Sequence, residues 1–292
     1  MARSRAKKST IVRAKFIRTG FGVLERVAPT LGGRLALRIW CTPRHARPSS
    51  APVGGTRHQV AVHGSTVVAE TWGSGPVVYL VHGWGGHRNQ LNRFVAPLVA
   101  AGYQVVTFDA LSHGESGPGK LGRRQATLPE FSDALTAVVT NFGPAHGIIA
   151  HSMGATATAL AVLDGLPATR LAFIAPMADP LAQTHLFASF LGFGTRVHRA
   201  FITRLEQIAG RPMSTFNIPS RATTQPLPPL VVIHDKGDRE VDHTNGETLA
   251  SAWPDAKLIT TTGLGHHRIL SDTNVLHEAV TFVTASTPAV PR

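Results

Sequence analysis

The sequence predicts an α/β fold over most of its length, and three observations carry that reading. Short runs rich in valine, isoleucine and leucine alternate with segments of helical patterning. One such run enters a serine, Ser152, from which a small-residue, helix-compatible stretch departs. The chain has 292 residues with 43% hydrophobic content, enough for one large domain with a substantial core.

The elements follow in order. Residues 59–62 and 66–71 read as strands joined at His63-Gly64-Ser65, and Gly73-Ser74-Gly75-Pro76 turns the chain into a buried strand at 77–81. Residues 91–101 are predicted as a helix ending at Gly102, followed by a strand at 105–108 and a helix at 128–140. Residues 147–150 form the apolar run before Ser152, and 155–163 the helix after it. Strands are expected at 171–175, 230–233 and 258–260. From 177 to 226 the alternation stops, and aromatic and helix-patterned residues take its place.

The chemistry gathers at the ends of these strands. Ser152 lies in Gly147-Ile148-Ile149-Ala150-His151-Ser152-Met153-Gly154-Ala155. A serine on a sharp strand-to-helix turn has its hydroxyl exposed, and the next backbone N–H points to whatever that hydroxyl attacks. The turn needs small residues two before and two after the serine; Gly154 supplies one and Ala150 the other, with one methyl more than glycine. His82-Gly83-Trp84-Gly85-Gly86 follows the strand at 77–81, where a glycine-rich turn can aim an N–H at a developing oxyanion. The run from Asp109 to Ser116 follows the strand at 105–108, and the strand at 230–233 delivers His234, Asp235 and Asp238. Gly263-Leu264-Gly265-His266-His267 follows the strand at 258–260, giving the order Ser152, Asp238, His266.

With these five ordered blocks, residues 56–292 resemble the α/β-hydrolase superfamily. The resemblance implies a central, mostly parallel sheet with helices on both faces and a Ser152-Asp238-His266 triad at its carboxyl edge. Ser152 would be the nucleophile, His266 its base, and Asp238 the group that fixes the histidine tautomer. The amides of Met153 and Trp84 would form the oxyanion hole. Asp235 and Asp179 compete for the acid role, but the family pattern, an acid three residues before a hydrophobic such as Val241, favours Asp238. The Gly-x-Gly-His spacing favours His266 over His267. His82, His113, His151 and Asp109 read as structural residues of the loops. Residues 177–226 stand where such proteins carry a helical cap, with Phe187, Phe190, Phe201 and Leu205 expected to wall an acyl pocket. A serine nucleophile implies an acyl-enzyme and hydrolysis of carboxylic esters without a cofactor. Thioesterase, acyltransferase and C–C bond hydrolase activities use the same triad, and a non-catalytic binding protein could share the scaffold.

Composition bounds the rest. The net charge of +12 is placed unevenly: residues 1–50 hold 12 of the 29 Lys and Arg but one of the 17 acids, Glu25. The remaining 242 residues are nearly neutral, which argues against nucleic acid as a partner. The single cysteine, Cys41, excludes an internal disulfide and fits a reducing, cytoplasmic compartment. No apolar run reaches the length of a membrane span, and no His/Cys/Asp cluster has metal-ligand spacing. The expected division is a basic helical extension and linker at 1–50, core at 51–176 and 227–292, and the cap at 177–226. In the extension, Phe16, Phe21, Leu24, Val27, Leu31, Leu35 and Ile39 recur at helical steps, interrupted near Pro29 and Gly32-Gly33. That stripe fits three roles: packing on the hydrolase body with the positive face outward, contact with an anionic membrane surface, or targeting. The area it could bury favours the first.

Overall fold

The computed structural model describes residues 2–43 and 50–285, with the backbone alone at 2–14. Its contacts separate two units, Pro43–Ala178 with Ile218–Arg292, and Met1–Thr42 with Asp179–Asn217.

The larger unit is built on one sheet. Its strands are β1 (Thr56–Val62), β2 (Ser65–Trp72), β3 (Val77–Val81), β4 (Gln104–Phe108), β5 (Ala145–His151), β6 (Ala168–Ile174), β7 (Leu230–Asp235) and β8 (Lys257–Thr261). Their spatial order is β1-β2-β4-β3-β5-β6-β7-β8. The first two pairings, β1 with β2 and β2 with β4, are antiparallel, and the other five are parallel. β1 and β2 form a hairpin whose two loop residues, His63 and Gly64, have φ of 49° and 75°, the twist that matches right-handed strands. All five residues of β3 are buried, as expected of a central parallel strand covered on both faces.

The pleat sends Val78, Leu80, Val105, Ile149, Ala172 and Val231 into one core. There they meet the helices α3 (Val95–Ala100) and α11 (Thr273–Thr284). Alternate residues such as Tyr79, Val106 and Ile148 are equally buried on the other face, where α5 (Met153–Leu163) lies against β3, β5 and β6 and packs on α4 (Leu128–Phe142). After β3 the chain steps to β4 on one side, and after β5 it steps to β6 on the other. That reversal opens a crevice beyond the carboxyl ends of β3 and β5, the place where open α/β sheets bind ligands.

One predicted helix is corrected. Residues 91–101 divide into a 3₁₀ turn, Arg88–Phe94, and the short α3, with Leu91 out of helical geometry at φ −103°, ψ 26°. Pro97 contributes to the division: it has no N–H for a bond to the carbonyl of Arg93, and its ring crowds that carbonyl.

The smaller unit corrects the expected division. The basic extension ends at Thr42, and its helices α1 (Ala2–Val27) and α2 (Pro29–Trp40) form one body with α6 (Pro180–Leu191) and α7 (Thr195–Ala209) of the insertion. Residues 218–226, including the helix α8 (Ile218–Ala222), belong instead to the larger unit. Pro29 starts α2 at a position where its missing N–H costs nothing. Gly32 and Gly33 do not interrupt the helix. They lie buried inside it, where a Cβ on Gly32 would stand 2.6 Å from Val197 Cγ2, and one on Gly33 2.8 Å from the Phe201 backbone nitrogen. The absent side chains let α2 and α7 meet backbone to backbone. Glu25 joins the same body by accepting from the amides of Gly194, Arg196 and Val197 at the start of α7.

The expected stripe is therefore turned. Phe21 is buried, but Phe16, Val27, Leu31, Leu35 and Ile39 are exposed, and the face of α2 that packs is Gly32, Gly33 and Ala36. Cys41 is buried.

Candidate active site

Ser152 stands between β5 and α5 with φ 53° and ψ −122°, a left-handed backbone that costs a non-glycine residue on the order of 1–3 kcal/mol. The surroundings hold it there. Its N–H donates to the carbonyl of Ile174 on β6 at 2.9 Å, and its carbonyl accepts from Ala155 N at 3.0 Å. Gly154 is required by the approach of the loop after β3: a Cβ there would lie 2.2 Å from the carbonyl oxygen of His82. The extra methyl of Ala150 is fully buried, so the turn accommodates it.

His266 is the second residue of the short helix α10 (Gly265–Arg268), beyond β8. Its Nδ1 lies 2.7 Å from Asp238 Oδ2 and its Nε2 lies 3.0 Å from Ser152 Oγ. A carboxylate only accepts, so Nδ1 carries the proton and Nε2 is left to accept from the serine hydroxyl. Asp238 Oδ1 accepts from the amides of Glu240 and Val241 at 2.8 and 3.0 Å. Burial alone would raise the Asp238 pKa, but hydrogen bonds from His234, His266 and those amides outweigh it and hold the carboxyl well below the usual range.

The competing residues stand elsewhere. Asp235 accepts from Gly237 N, Thr261 Oγ1 and Leu264 N, and so ties β7 to the loop that carries His266. Asp179 caps α6 through Leu181 N. His267 faces Glu240, 2.9 Å away on the surface. Phe187 and Phe201 meet Trp40 and Phe193 in the core of the smaller unit. Leu205 is also buried, whereas Phe190 is 69% exposed and takes no place in that cluster.

The loops over the crevice are fixed by neutral histidines. His82 Nδ1 donates to Gly83 O, and its Nε2 accepts from Ala110 N. His113 Nδ1 donates to Leu111 O, and its Nε2 accepts from Gly85 N. Asp109 accepts from Arg88 N, Arg88 Nη1 and Glu115 N, each within 2.9 Å. In the loop from His82 to Gly86, the amides of Gly83, Gly85 and Gly86 donate to Gln90 Oε1, His113 Nε2 and Gly83 O. Among the described residues, the amides of Trp84 and Met153 donate to no protein acceptor.

Three contributors escape sequence reasoning. His234 is fully buried and brings Nε2 to 3.4 Å from Asp238 Oδ2. Gln90 holds the Gly83 amide. Arg88 joins Glu70, Asp109 and Glu115. The available signal for Arg88 was chemical: Glu70 lies in a predicted strand and Asp109 directly after one, and a buried carboxylate needs a cation.

His151, beside the serine, donates from Nε2 to the carbonyl of His266 at 2.9 Å. Burial and the nearby His266 lower its pKa from 6.5 to about 3. Below pH 6.5 the unfolded chain binds a proton here that the folded chain refuses, so stability falls as pH falls across that window. Burial and His113 push His82 the same way. We expect urea midpoints measured from about pH 7 down to about pH 4 to decline, and His151→Gln to flatten the slope. A slope unchanged in that variant would assign the acid sensitivity to other groups.

The comparisons with known proteins agree with this architecture. Residues 78–279, more than half of the chain, match the profile of the Alpha/beta hydrolase family. The chain belongs to that family. An esterase from Exiguobacterium antarcticum is 14% identical, with TM-score 0.59 over 79% of this chain and 100% of its own. A thermophilic esterase from Thermogutta terrifontis is 16% identical, with TM-score 0.57 over 79% and 100%. A bromoperoxidase from Bacillus anthracis is 17% identical, with TM-score 0.58 over 78% and 99%. No curated protein matches the sequence. Such identities speak for the fold, and a fold shared by esterases and a bromoperoxidase leaves the chemistry to be argued from the site.

Proposed function

We propose that the protein is a serine hydrolase that cleaves carboxylic esters through an acyl-enzyme. The observation that carries this reading is the continuous line from Ser152 Oγ through His266 to Asp238, with contacts of 3.0 and 2.7 Å. In the first step Ser152 Oγ attacks the ester carbonyl while His266 Nε2 takes its proton. Asp238, kept ionised, stabilises the imidazolium that results. The developing oxyanion is received by the N–H groups of Met153 and Trp84, each donor worth about 2.7–4 kcal/mol in comparable sites. His266 then returns the proton to the departing alkoxide, and water attacks the acyl-enzyme by the same route in reverse. An ester is the favoured substrate because an alkoxide leaves more readily than an amine.

The test is a panel of p-nitrophenyl esters graded from acetyl to lauroyl, run beside thioester and anilide analogues. The reading predicts turnover of at least one ester, and faster turnover of an ester than of its matched anilide. Absence of turnover across the esters and thioesters would reject it. Product formed with an added alcohol in place of water would redirect it to acyl transfer.

A further inference from the structure

Among the described residues, nine of the ten large hydrophobic side chains that stand exposed lie in the smaller unit. At 100° per residue, Phe16, Val23 and Val27 fall along one line of α1, and Leu31, Leu35 and Ile39 along one line of α2. Phe16 is 81% exposed, Val27 74% and Leu31 56%. These side chains point to solvent because α2 spends its other face, Gly32, Gly33 and Ala36, on α7. Lines of exposed large apolar side chains such as these are unfavourable in water unless something covers them.

Charge identifies what covers it. The smaller unit contains 14 Lys and Arg and three acids. The only acid of α1 and α2, Glu25, is already bonded to the amides of Gly194, Arg196 and Val197 at the N-terminal end of α7. Arg34 and Arg38 are exposed on the flank of the Leu31-Leu35-Ile39 line, and Lys15 and Arg26 are exposed on α1. A second copy of the chain would bring the same positive charge to the contact and be repelled. Nucleic acid would answer the charge and leave the aliphatic row in water. An anionic lipid surface answers both. No helix among the described residues is long and apolar enough to cross a membrane, so the helices would lie in the interface plane.

We propose that α1 and α2 dock the protein on an anionic lipid surface. Val27, Leu31, Leu35 and Ile39 enter the boundary between headgroups and acyl chains, and the flanking arginines face the headgroups. Packing and membrane contact are thus not alternatives for this segment: α2 uses one face for each. The proposal is independent of the ester chemistry.

The full chain is sedimented with vesicles of phosphatidylcholine alone, or containing about one-third phosphatidylglycerol. We expect association with the anionic vesicles, weakened at least ~10-fold by about 0.5 M salt. Leu31→Ser/Leu35→Ser/Ile39→Ser changes exposed positions only and is expected to bind roughly 100-fold more weakly with an unchanged circular-dichroism spectrum. Arg34→Gln/Arg38→Gln is expected to lose about 10-fold or more. Equal binding to neutral vesicles, or a triple variant that binds like the intact chain, overturns the proposal. So does a dimer in sedimentation equilibrium that the triple variant abolishes, or retention by duplex DNA without vesicle binding.

Discussion

We expect Ser152→Ala to remove ester turnover, lowering kcat on the order of 10⁶-fold, and to leave the melting temperature nearly unchanged. The size follows from the linkage of the three residues. With no Oγ, the hydrogen bond that His266 Nε2 makes at 3.0 Å has no partner, and neither that histidine nor Asp238 can act on the substrate. The fold is spared because alanine carries the same Cβ, and the strain of φ 53° is present before and after the change. The Gly154 contact and the Ser152 N–H bond to Ile174 are untouched. The check pairs steady-state kinetics with thermal melting. Turnover within about tenfold of the intact chain would place the nucleophile elsewhere.

Asp238→Asn is expected to give the second large effect, a loss on the order of 10⁴ in kcat. An asparagine amide group directed at His266 Nδ1 favours the tautomer whose Nε2 bears the proton, and that nitrogen can no longer accept from Ser152. Asp238 is also the carboxylate on which His234, His266 and two amides converge. Asp235→Asn should behave differently. Asp235 accepts from Gly237 N, Thr261 Oγ1 and Leu264 N, whereas the carboxylate at His266 Nδ1 is that of Asp238. The Asp235 substitution should lower stability more than turnover. The two variants compared by kinetics and denaturant unfolding separate the roles, and the reverse ranking would make Asp235 the acid.

Much of this was legible in the sequence, for reasons that can be stated. The strand at 77–81 coincides with the observed β3 because five consecutive apolar residues between Gly-Pro and Gly-rich turns admit little else. Ser152, Asp238 and His266 were each placed by a strand that ends just before them, and strand ends converge at one sheet edge. What was not legible depended on packing. Leu31, Leu35 and Ile39 have the spacing of a buried stripe, and apolar periodicity cannot tell a face covered by protein from one left open. Gly32 and Gly33 read as a break, yet they are the contact itself, because close helix approach selects for absent side chains. His234 and Gln90 act across loops, and no period in the chain announces them.

The central claim is that Ser152 is an activated nucleophile, and its most direct measurement is reaction with a fluorophosphonate followed by peptide mass spectrometry. The account predicts one label per chain, on the peptide that contains Ser152, absent in Ser152→Ala and greatly slowed in Asp238→Asn. A chain that hydrolyses esters with Ser152 unlabelled, or a label carried by another serine, would contradict it.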